Sequence, residues 1–119
     1  MEEEAWLAKA EKEIRSAEKN LPIKEYEIVA FLAQQAAEKA LKAVQIRQQA
    51  RFDRVHDLAA LARSIRAPDA VMAHCLVLTP YYTVTRYPDS EEQVSAAVAR
   101  ALLEKSKEVV AWAKRTLGQ

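Results

Sequence analysis

The sequence predicts an all-α protein, and two features of its composition lead to this prediction. Glycine occurs once in 119 residues, at Gly118, whereas alanine occurs 23 times. Tight β-hairpins need residues at positive φ, so a chain almost without glycine has few of them. The same scarcity excludes glycine-rich phosphate loops and the dinucleotide-binding fingerprint. With 50% apolar and 29% charged residues, residues 1–119 have the composition of one globular domain.

Two long helices are expected in the first half of the chain. The first covers residues 2–20, because apolar residues recur there at spacings of three and four, and Pro22 follows. The second starts at Pro22 or Ile23 and ends at Gln49, because no helix breaker lies between Ile23 and Gln49. At 1.5 Å per residue this helix is roughly 40 Å long, so we expect one end to project or to contact a partner.

Two shorter helices are expected next. The third covers residues 54–66, and Asp53 is its candidate N-cap. The fourth begins at Pro68, which suits the first position of a helix, and ends near Pro80.

Residues 80–90 break the helical pattern with two prolines and with β-branched and aromatic residues, which indicates an ordered connection with room for a single helical turn. The last helix begins at the capping box Ser90–Gln93 and runs to Thr116.

These elements together predict an antiparallel up-and-down bundle of four to five helices. Its core is rich in alanine, which buries little area per residue, and this favours a homodimer that covers further apolar surface.

Several classes of protein are excluded by simple features of the chain. No apolar run is long enough to span a membrane, and the acidic start Met1–Glu4 is unlike a secretory signal. A single cysteine, Cys75, excludes an intrachain disulfide and a cysteine-rich zinc site, and we expect it to be a small core residue. We therefore expect a cytoplasmic protein that binds no membrane, metal or cofactor.

Positive charge is concentrated in the middle of the chain, although the net charge is only +1. Residues 39–66 contain seven cations against two aspartates, which is a local net charge of +5. The cations are Lys39, Lys42, Arg47, Arg51, Arg54, Arg63 and Arg66. This part of the chain is where we expect any polyanion to bind.

Four stretches of the sequence resemble, in the same order, those of HEPN domains, which are small helical domains of prokaryotic nucleotide-binding and ribonuclease systems. They are Phe31–Ala43, His56-Asp57-Leu58 with Leu61, Leu78 and Tyr81 followed by Arg86-Tyr87-Pro88, and Ala111-Trp112. The resemblance implies a four- or five-helix bundle that is usually dimeric. It also implies a partner, a minimal nucleotidyltransferase encoded nearby, which is typically the antitoxin when the HEPN protein is the toxin.

Arg51 and His56 are the candidate catalytic residues, because they match the Arg-x(4–6)-His motif that active HEPN ribonucleases bring together across a dimer. Histidine can move a proton near neutral pH while a ribose 2′-hydroxyl attacks its phosphate, and arginine can hold the developing charge without a metal. Phe52 departs from the family, whose active members usually have a polar residue after the arginine. The alternative is that His56 caps or packs at the start of the third helix, while Arg51 is solvated.

Arg86, Tyr81 and Tyr87 are the candidate residues for binding nucleotide or RNA, together with His56 and Lys42. An arginine beside tyrosines offers a phosphate-binding fork and a stacking surface at once. Alternatively, the tyrosines anchor the connection to the bundle and Arg86 pairs with a carboxylate or a helix C-terminus.

The spacing of Gln35, Lys39 and Lys42 places them on one face of the second helix. This face either contacts a partner or a phosphate, or is a solvated stripe.

Three functional hypotheses follow from the sequence. The protein is a nucleotide- or RNA-binding partner of a nucleotidyltransferase, a metal-independent ribonuclease, or a helical interaction module without a ligand.

Overall fold

A computed structural model describes residues 2–84 and 94–119, and within these ranges the chain forms helices and no strands. Their bounds are α1 Glu2–Asn20, α2 Tyr26–Gln49, α3 Leu58–Ser64, α4 Asp69–Leu78, α5 Tyr81–Val84 and α6 Ala96–Thr116. Four of them have ten or more residues, α3 has seven, and α5 is a single turn. The predicted all-α bundle of four to five helices is therefore confirmed.

Ion pairs show how the three long helices are oriented. Between α1 and each of its two neighbours, residue numbers rise along one helix as they fall along the other. The pairs are Glu3–Arg47 and Glu13–Lys39 towards α2, and Glu11–Lys114 and Glu18–Lys107 towards α6. Helix α1 is thus antiparallel to both α2 and α6, and the latter two run in the same direction. In the sequence, the short helices α3, α4 and α5 lie between α2 and α6.

Alanine dominates the interior where the long helices meet. Fully buried alanines lie on α1, α2 and α6: Ala10, Ala17, Ala30, Ala33, Ala36, Ala37, Ala40, Ala43, Ala99 and Ala113. Short side chains let the helix backbones approach closely, and the buried Ser106 Oγ donates a hydrogen bond of 2.6 Å to the Ala33 carbonyl across this contact. Larger side chains such as Leu41, Leu61 and Leu102 fill the space around the alanines.

Helix α2 begins at Tyr26, three or four residues later than predicted, and ends at Gln49 as predicted. A tight turn after α1 causes the difference: Lys24 has a φ of 64°, and the Glu25 amide donates to the Asn20 carbonyl at 3.1 Å. At 24 residues α2 is about 36 Å long. Helix α1 lies alongside α2 from this turn to the Glu3–Arg47 pair, so neither end of α2 projects from the bundle. Contact of α2 with a partner stays a prediction.

Helix α3 begins at Leu58 rather than at residue 54, and its N-cap is Asp57 rather than Asp53. Asp57 Oδ1 accepts a hydrogen bond from the Ala60 amide at 3.1 Å. Asp53 is engaged elsewhere, because Gln45 Nε2 donates to its carboxylate at 3.0 Å. The four residues before Asp57 therefore belong to an extended segment that lies along α2.

Helix α6 begins at Ala96, and its N-cap Ser95 accepts a hydrogen bond from the Val98 amide at 3.1 Å. The predicted capping box at residues 90–93 lies outside the described residues, and the non-helical residues 94 and 95 separate it from α6. The predicted start of this helix is therefore wrong. The helical turn expected within residues 80–90 is present as α5, and residues 85–90 lie outside the described ranges.

Among the described residues, every helix is too short or too polar to cross a bilayer. Within the same ranges, His, Cys, Asp and Glu side chains form no group of three that could hold a metal ion.

Candidate functional site

A row of polar side chains on α2 is buried inside the protein. It consists of Gln34, Glu38, Lys42 and Gln45, which are 0%, 4%, 5% and 0% exposed. Their spacing of four, four and three residues puts them on one face of the helix. The sequence left open whether the stripe of Gln35, Lys39 and Lys42 contacts a partner or a phosphate or is solvated. In the structure Lys42 is instead buried. Of the stripe's other members, Gln35 and Lys39 are half-buried.

Residues 50–57, which we call the covering segment, lie over this row. The Asp53 amide donates to Gln45 Oε1 at 2.8 Å, and Gln34 Nε2 donates to the His56 carbonyl at 3.3 Å. Because these contacts are eleven residues apart on α2, they place the covering segment along about 16 Å of the helix. The segment runs from the end of α2 back towards its middle.

Lys42 is held by one carboxylate and two aromatic rings. Its Nζ lies 3.2 Å from Glu38 Oε2, and the side chains are 6% and 5% exposed. The same nitrogen lies 5.8 Å from the ring centre of Trp6 and 5.6 Å from that of Phe52, within the range of cation–π attraction. Lys42 is therefore an internal cation that neutralises Glu38, and not an open phosphate contact.

His56 is oriented by two neighbours and still reaches the solvent. Its Nδ1 lies 2.9 Å from Glu38 Oε1, and its ring stacks on Tyr82 with a centroid distance of 3.9 Å and an interplanar angle of 14°. The side chain is 48% exposed. Because Glu38 engages Nδ1, Nε2 is the ring nitrogen that can exchange a proton with a ligand.

The stacking of His56 on Tyr82 follows from how α3 and α5 are joined to α4. Thr79, just after α4, accepts a hydrogen bond from the Leu58 amide at 3.1 Å and donates one to the Cys75 carbonyl at 2.8 Å. This contact ties the residues after His56 to the residues just before α5. His56 lies two residues before Leu58, and Tyr82 lies three residues after Thr79. The hydrogen bond between Leu58 and Thr79 therefore brings the two rings close to each other.

The predicted site residues are only partly brought together. Lys42 and His56 meet through Glu38, whereas Arg51 pairs with Asp53 and forms no hydrogen bond with His56 in the described part of the chain. Tyr81 is half-buried and packs against the core. The remaining two predictions, Arg86 and Tyr87, lie outside the described residues.

The Arg51 side chain is 60% exposed and belongs to the surface of the covering segment. The hydrogen bond from Gln45 and the neighbouring Arg51 guanidinium lower the pKa of the Asp53 carboxyl below its ordinary value. Asp53 connects the buried row to Arg51, because its carboxylate accepts a hydrogen bond from Gln45 and pairs with the Arg51 guanidinium.

Sequence reasoning missed the central role of Glu38. A carboxylate among Ala37, Ala40 and Leu41 on a helix, with a lysine four residues later, was the available signal. That signal does not distinguish a surface pair from a buried one, because burial here depends on the covering segment.

A second histidine, His74, lies on α4 and pairs with Glu108 of α6. The pair borders a cavity of 280 Å³ that Trp112 and Arg115 also line. The next residue, Cys75, is fully buried, as predicted, and burial raises the pKa of its thiol to about 12.

We expect Glu38 and Lys42 to be strongly coupled in stability. Breaking a buried ion pair by removing one partner costs about 3–5 kcal/mol, whereas exposed pairs contribute about 0–1 kcal/mol. A double-mutant cycle with Glu38→Gln and Lys42→Met, measured by urea unfolding, should give a coupling energy well above that of the control cycle. The matched control is Glu18→Gln with Lys107→Met, an exposed pair between α1 and α6. Equal coupling energies in the two cycles would contradict the internal role of the pair.

Two of the comparisons with known proteins name the same family. The family model of the HEPN domain matches residues 3–116. Among solved structures, TT1696 from Thermus thermophilus is 26% identical, with 95% of this chain and 96% of that chain covered and a TM-score of 0.87. ST0689, described as an archaeal HEPN homologue, is 26% identical, with 96% of both chains covered and a TM-score of 0.82. No curated protein sequence matches. Because the family model spans almost the whole bundle, including α2 and the covering segment, this chain belongs to the HEPN domain family.

Proposed function

We propose that this HEPN domain protein binds a nucleotide or RNA at the surface formed by His56 and Tyr82. The observation that supports the proposal is the stacked pair of rings, which is partly exposed and is fixed from beneath by Glu38. An exposed aromatic surface accepts the face of any base, and an imidazole edge can hydrogen-bond to a phosphate. Arg86 and Tyr87, four and five residues after Tyr82 in the sequence, are proposed as further ligand contacts.

This proposal predicts that binding depends on the two rings. Loss of base stacking costs about 1–3 kcal/mol, which is roughly a 5- to 150-fold rise in Kd. We expect a rise in this range for Tyr82→Leu, and a weaker affinity for His56→Ala and Arg86→Ala, when AMP, ATP and a short single-stranded RNA are titrated by calorimetry. His74→Ala is the matched control, because this histidine pairs with Glu108 between α4 and α6. The absence of saturable binding at millimolar nucleotide would exclude the proposal.

A second candidate function is metal-independent RNA cleavage, and the contact between Glu38 and His56 favours it. A carboxylate on Nδ1 holds the imidazole so that Nε2 can take the proton from a ribose 2′-hydroxyl. The 2′-oxygen then attacks the neighbouring phosphorus, the 5′-oxygen leaves as a hydroxyl by taking up the proton from the His56 imidazolium, and a 2′,3′-cyclic phosphate remains. Arg51 from the same or a second copy of the chain would stabilise the pentavalent phosphorane.

Cleavage by this route predicts that His56→Ala lowers the rate by about a hundredfold or more, and that Arg51→Ala lowers it as well. The measurement is cleavage of a labelled single-stranded RNA with a chelator present, and His74→Ala should cleave like the unaltered protein. An unchanged rate in His56→Ala would remove this histidine from the mechanism.

We also propose that the protein is a homodimer and that it pairs with a minimal nucleotidyltransferase as the toxin of a toxin–antitoxin system. Exposed apolar side chains support an assembly, notably Leu76 and Val77 on α4, which are 59% and 43% exposed, and Ile23 before α2, at 66%. The family membership supports the choice of partner.

Sedimentation velocity at tens of micromolar should show a dimer, and a larger complex after addition of the nucleotidyltransferase encoded beside this protein. A monomer in both experiments would contradict the assembly. Formation of the complex without any nucleotide or RNA binding would favour the remaining alternative, a helical interaction module.

A further inference from the structure

We infer that Lys39 is a positioning residue for the His56 imidazole and acts on it through the side chains of two glutamines. The glutamines are Gln34 and Gln35 of α2, which join Lys39 to His56 by a chain of hydrogen bonds. The inference rests on the proposed function, because it concerns how the ring at that same site is held in place for a ligand.

The chain of hydrogen bonds passes from one face of α2 to another. Lys39 Nζ donates to Gln35 Oε1 at 3.2 Å, and Gln35 Nε2 donates to Gln34 Oε1 at 2.6 Å. Gln34 Nε2 then donates to Glu38 Oε1 at 3.4 Å and to the His56 carbonyl at 3.3 Å. Residues four apart share a face of a helix, whereas adjacent residues do not. The bond between the two glutamines therefore joins a half-buried face of α2 to the buried polar row.

The two ends of the chain determine how both amides are oriented. A lysine ammonium has donors only, so Gln35 turns its carbonyl oxygen towards Lys39 and its NH₂ group towards Gln34. An ionised carboxylate and a peptide carbonyl have acceptors only, so Gln34 turns its NH₂ group towards Glu38 and His56. These two requirements agree, because Gln34 then presents its oxygen to the NH₂ group of Gln35. Every group in the chain thus donates in the direction of His56.

Gln34 holds His56 in two ways at once. The side chain is fully buried, so its two N–H groups need partners inside the protein, and Glu38 and the His56 carbonyl supply one each. The carbonyl contact fixes the main chain of His56. The contact with Glu38 Oε1 reaches the same oxygen that lies 2.9 Å from His56 Nδ1, and so it fixes the group that orients the ring.

Helix α1 holds the lysine end of the chain. Lys39 Nζ lies 2.8 Å from Glu13 Oε1, and the two side chains are 17% and 11% exposed. The charge of the ammonium strengthens its hydrogen bond to Gln35, and a polarised amide is in turn a stronger donor to the next group. An ion pair between α1 and α2 is thereby connected to a ring at the surface of the covering segment.

His56 depends on such support because it belongs to no helix. Its ring is half-exposed, with Tyr82 against one face and Glu38 at Nδ1. A side chain of this kind keeps one orientation only when the groups behind it are themselves fixed. Loss of the donation from Gln34 should therefore displace the ring from its stack on Tyr82, even where the bundle stays folded.

The test reverses the direction of the chain and keeps the ion pair. In Glu13→Lys/Lys39→Glu the charges of α1 and α2 still attract, but position 39 now has acceptors only, so Gln35 presents its NH₂ group there and its oxygen to Gln34. Gln34 then turns its own oxygen towards His56 and ceases to donate to it. We expect the variant to fold, and the ring-current shift that the stacked Tyr82 imposes on the His56 ring protons to decrease in the NMR spectrum.

Further variants separate this chain from a general effect on the fold. Lys39→Arg keeps donors at the start of the chain and should retain the ring-current shift. Gln34→Met should lose it, and the charge reversal should have no additional effect in the Gln34→Met background, because Lys39 acts through Gln34. The matched control is Glu11→Lys/Lys114→Glu, which reverses an ion pair between α1 and α6 and should leave the His56 resonances unchanged.

Titration of AMP adds a functional readout. The Kd should rise about fivefold or more in Glu13→Lys/Lys39→Glu, as for loss of base stacking, and should stay unchanged in Lys39→Arg. An unchanged His56 shift in the charge-reversed variant would overturn the inference, as would an unchanged shift in Gln34→Met. If the shift responds as expected but neither AMP nor RNA binds the unaltered protein, the inference stands and the proposed function fails.

Discussion

Both the covering segment and the candidate site depend on the two contacts that the buried Glu38 carboxylate makes, with Lys42 and with His56. One of its oxygens lies 3.2 Å from Lys42 Nζ and the other lies 2.9 Å from His56 Nδ1. A buried charge is costly without a partner, so Lys42 allows Glu38 to remain inside the bundle. Glu38 in turn fixes the imidazole at the surface. Glu38 is thus part of the buried polar row and also orients the exposed imidazole of His56.

The helix that carries the buried polar row is closely packed through its alanines. Helix α2 contacts α1, α3, α4, α5 and α6, and the alanines on its remaining faces, such as Ala36 and Ala40, let α1 and α6 approach closely. The atoms that meet His56 therefore belong to a helix packed against five others, whereas His56 lies in the covering segment and Tyr82 in the single-turn α5. A rigid support beneath residues on a connecting segment is a common arrangement at binding sites.

Periodicity and caps were sufficient to predict the bounds of α1 and the ends of α2 and α6, because these depend on local sequence. The starts of α2, α3 and α6 were not predictable in this way, and α3 shows why. Asp53 and Asp57 are equally suitable N-caps in sequence, and the choice between them depends on Gln45, which engages Asp53 from another helix. The candidate site shows the same division. The motif makes His56 a candidate from the sequence, whereas its contact with Glu38 is found only in the structure, because it depends on how the covering segment lies over α2.

Within residues 2–84 and 94–119, the chain reverses direction without glycine at three places where its backbone is left-handed. Lys24, Ala50 and Arg66 have φ values of 64°, 58° and 56°. Each such residue costs about 1–2 kcal/mol relative to a right-handed one, so surrounding contacts must hold the turn closed. Ala50 and Arg66 bound the stretch that contains the covering segment and α3, and the glutamines of α2 hold that stretch against the helix. Those contacts, at Asp53, Ser64 and Ile65, therefore hold the stretch between the two left-handed turns against α2.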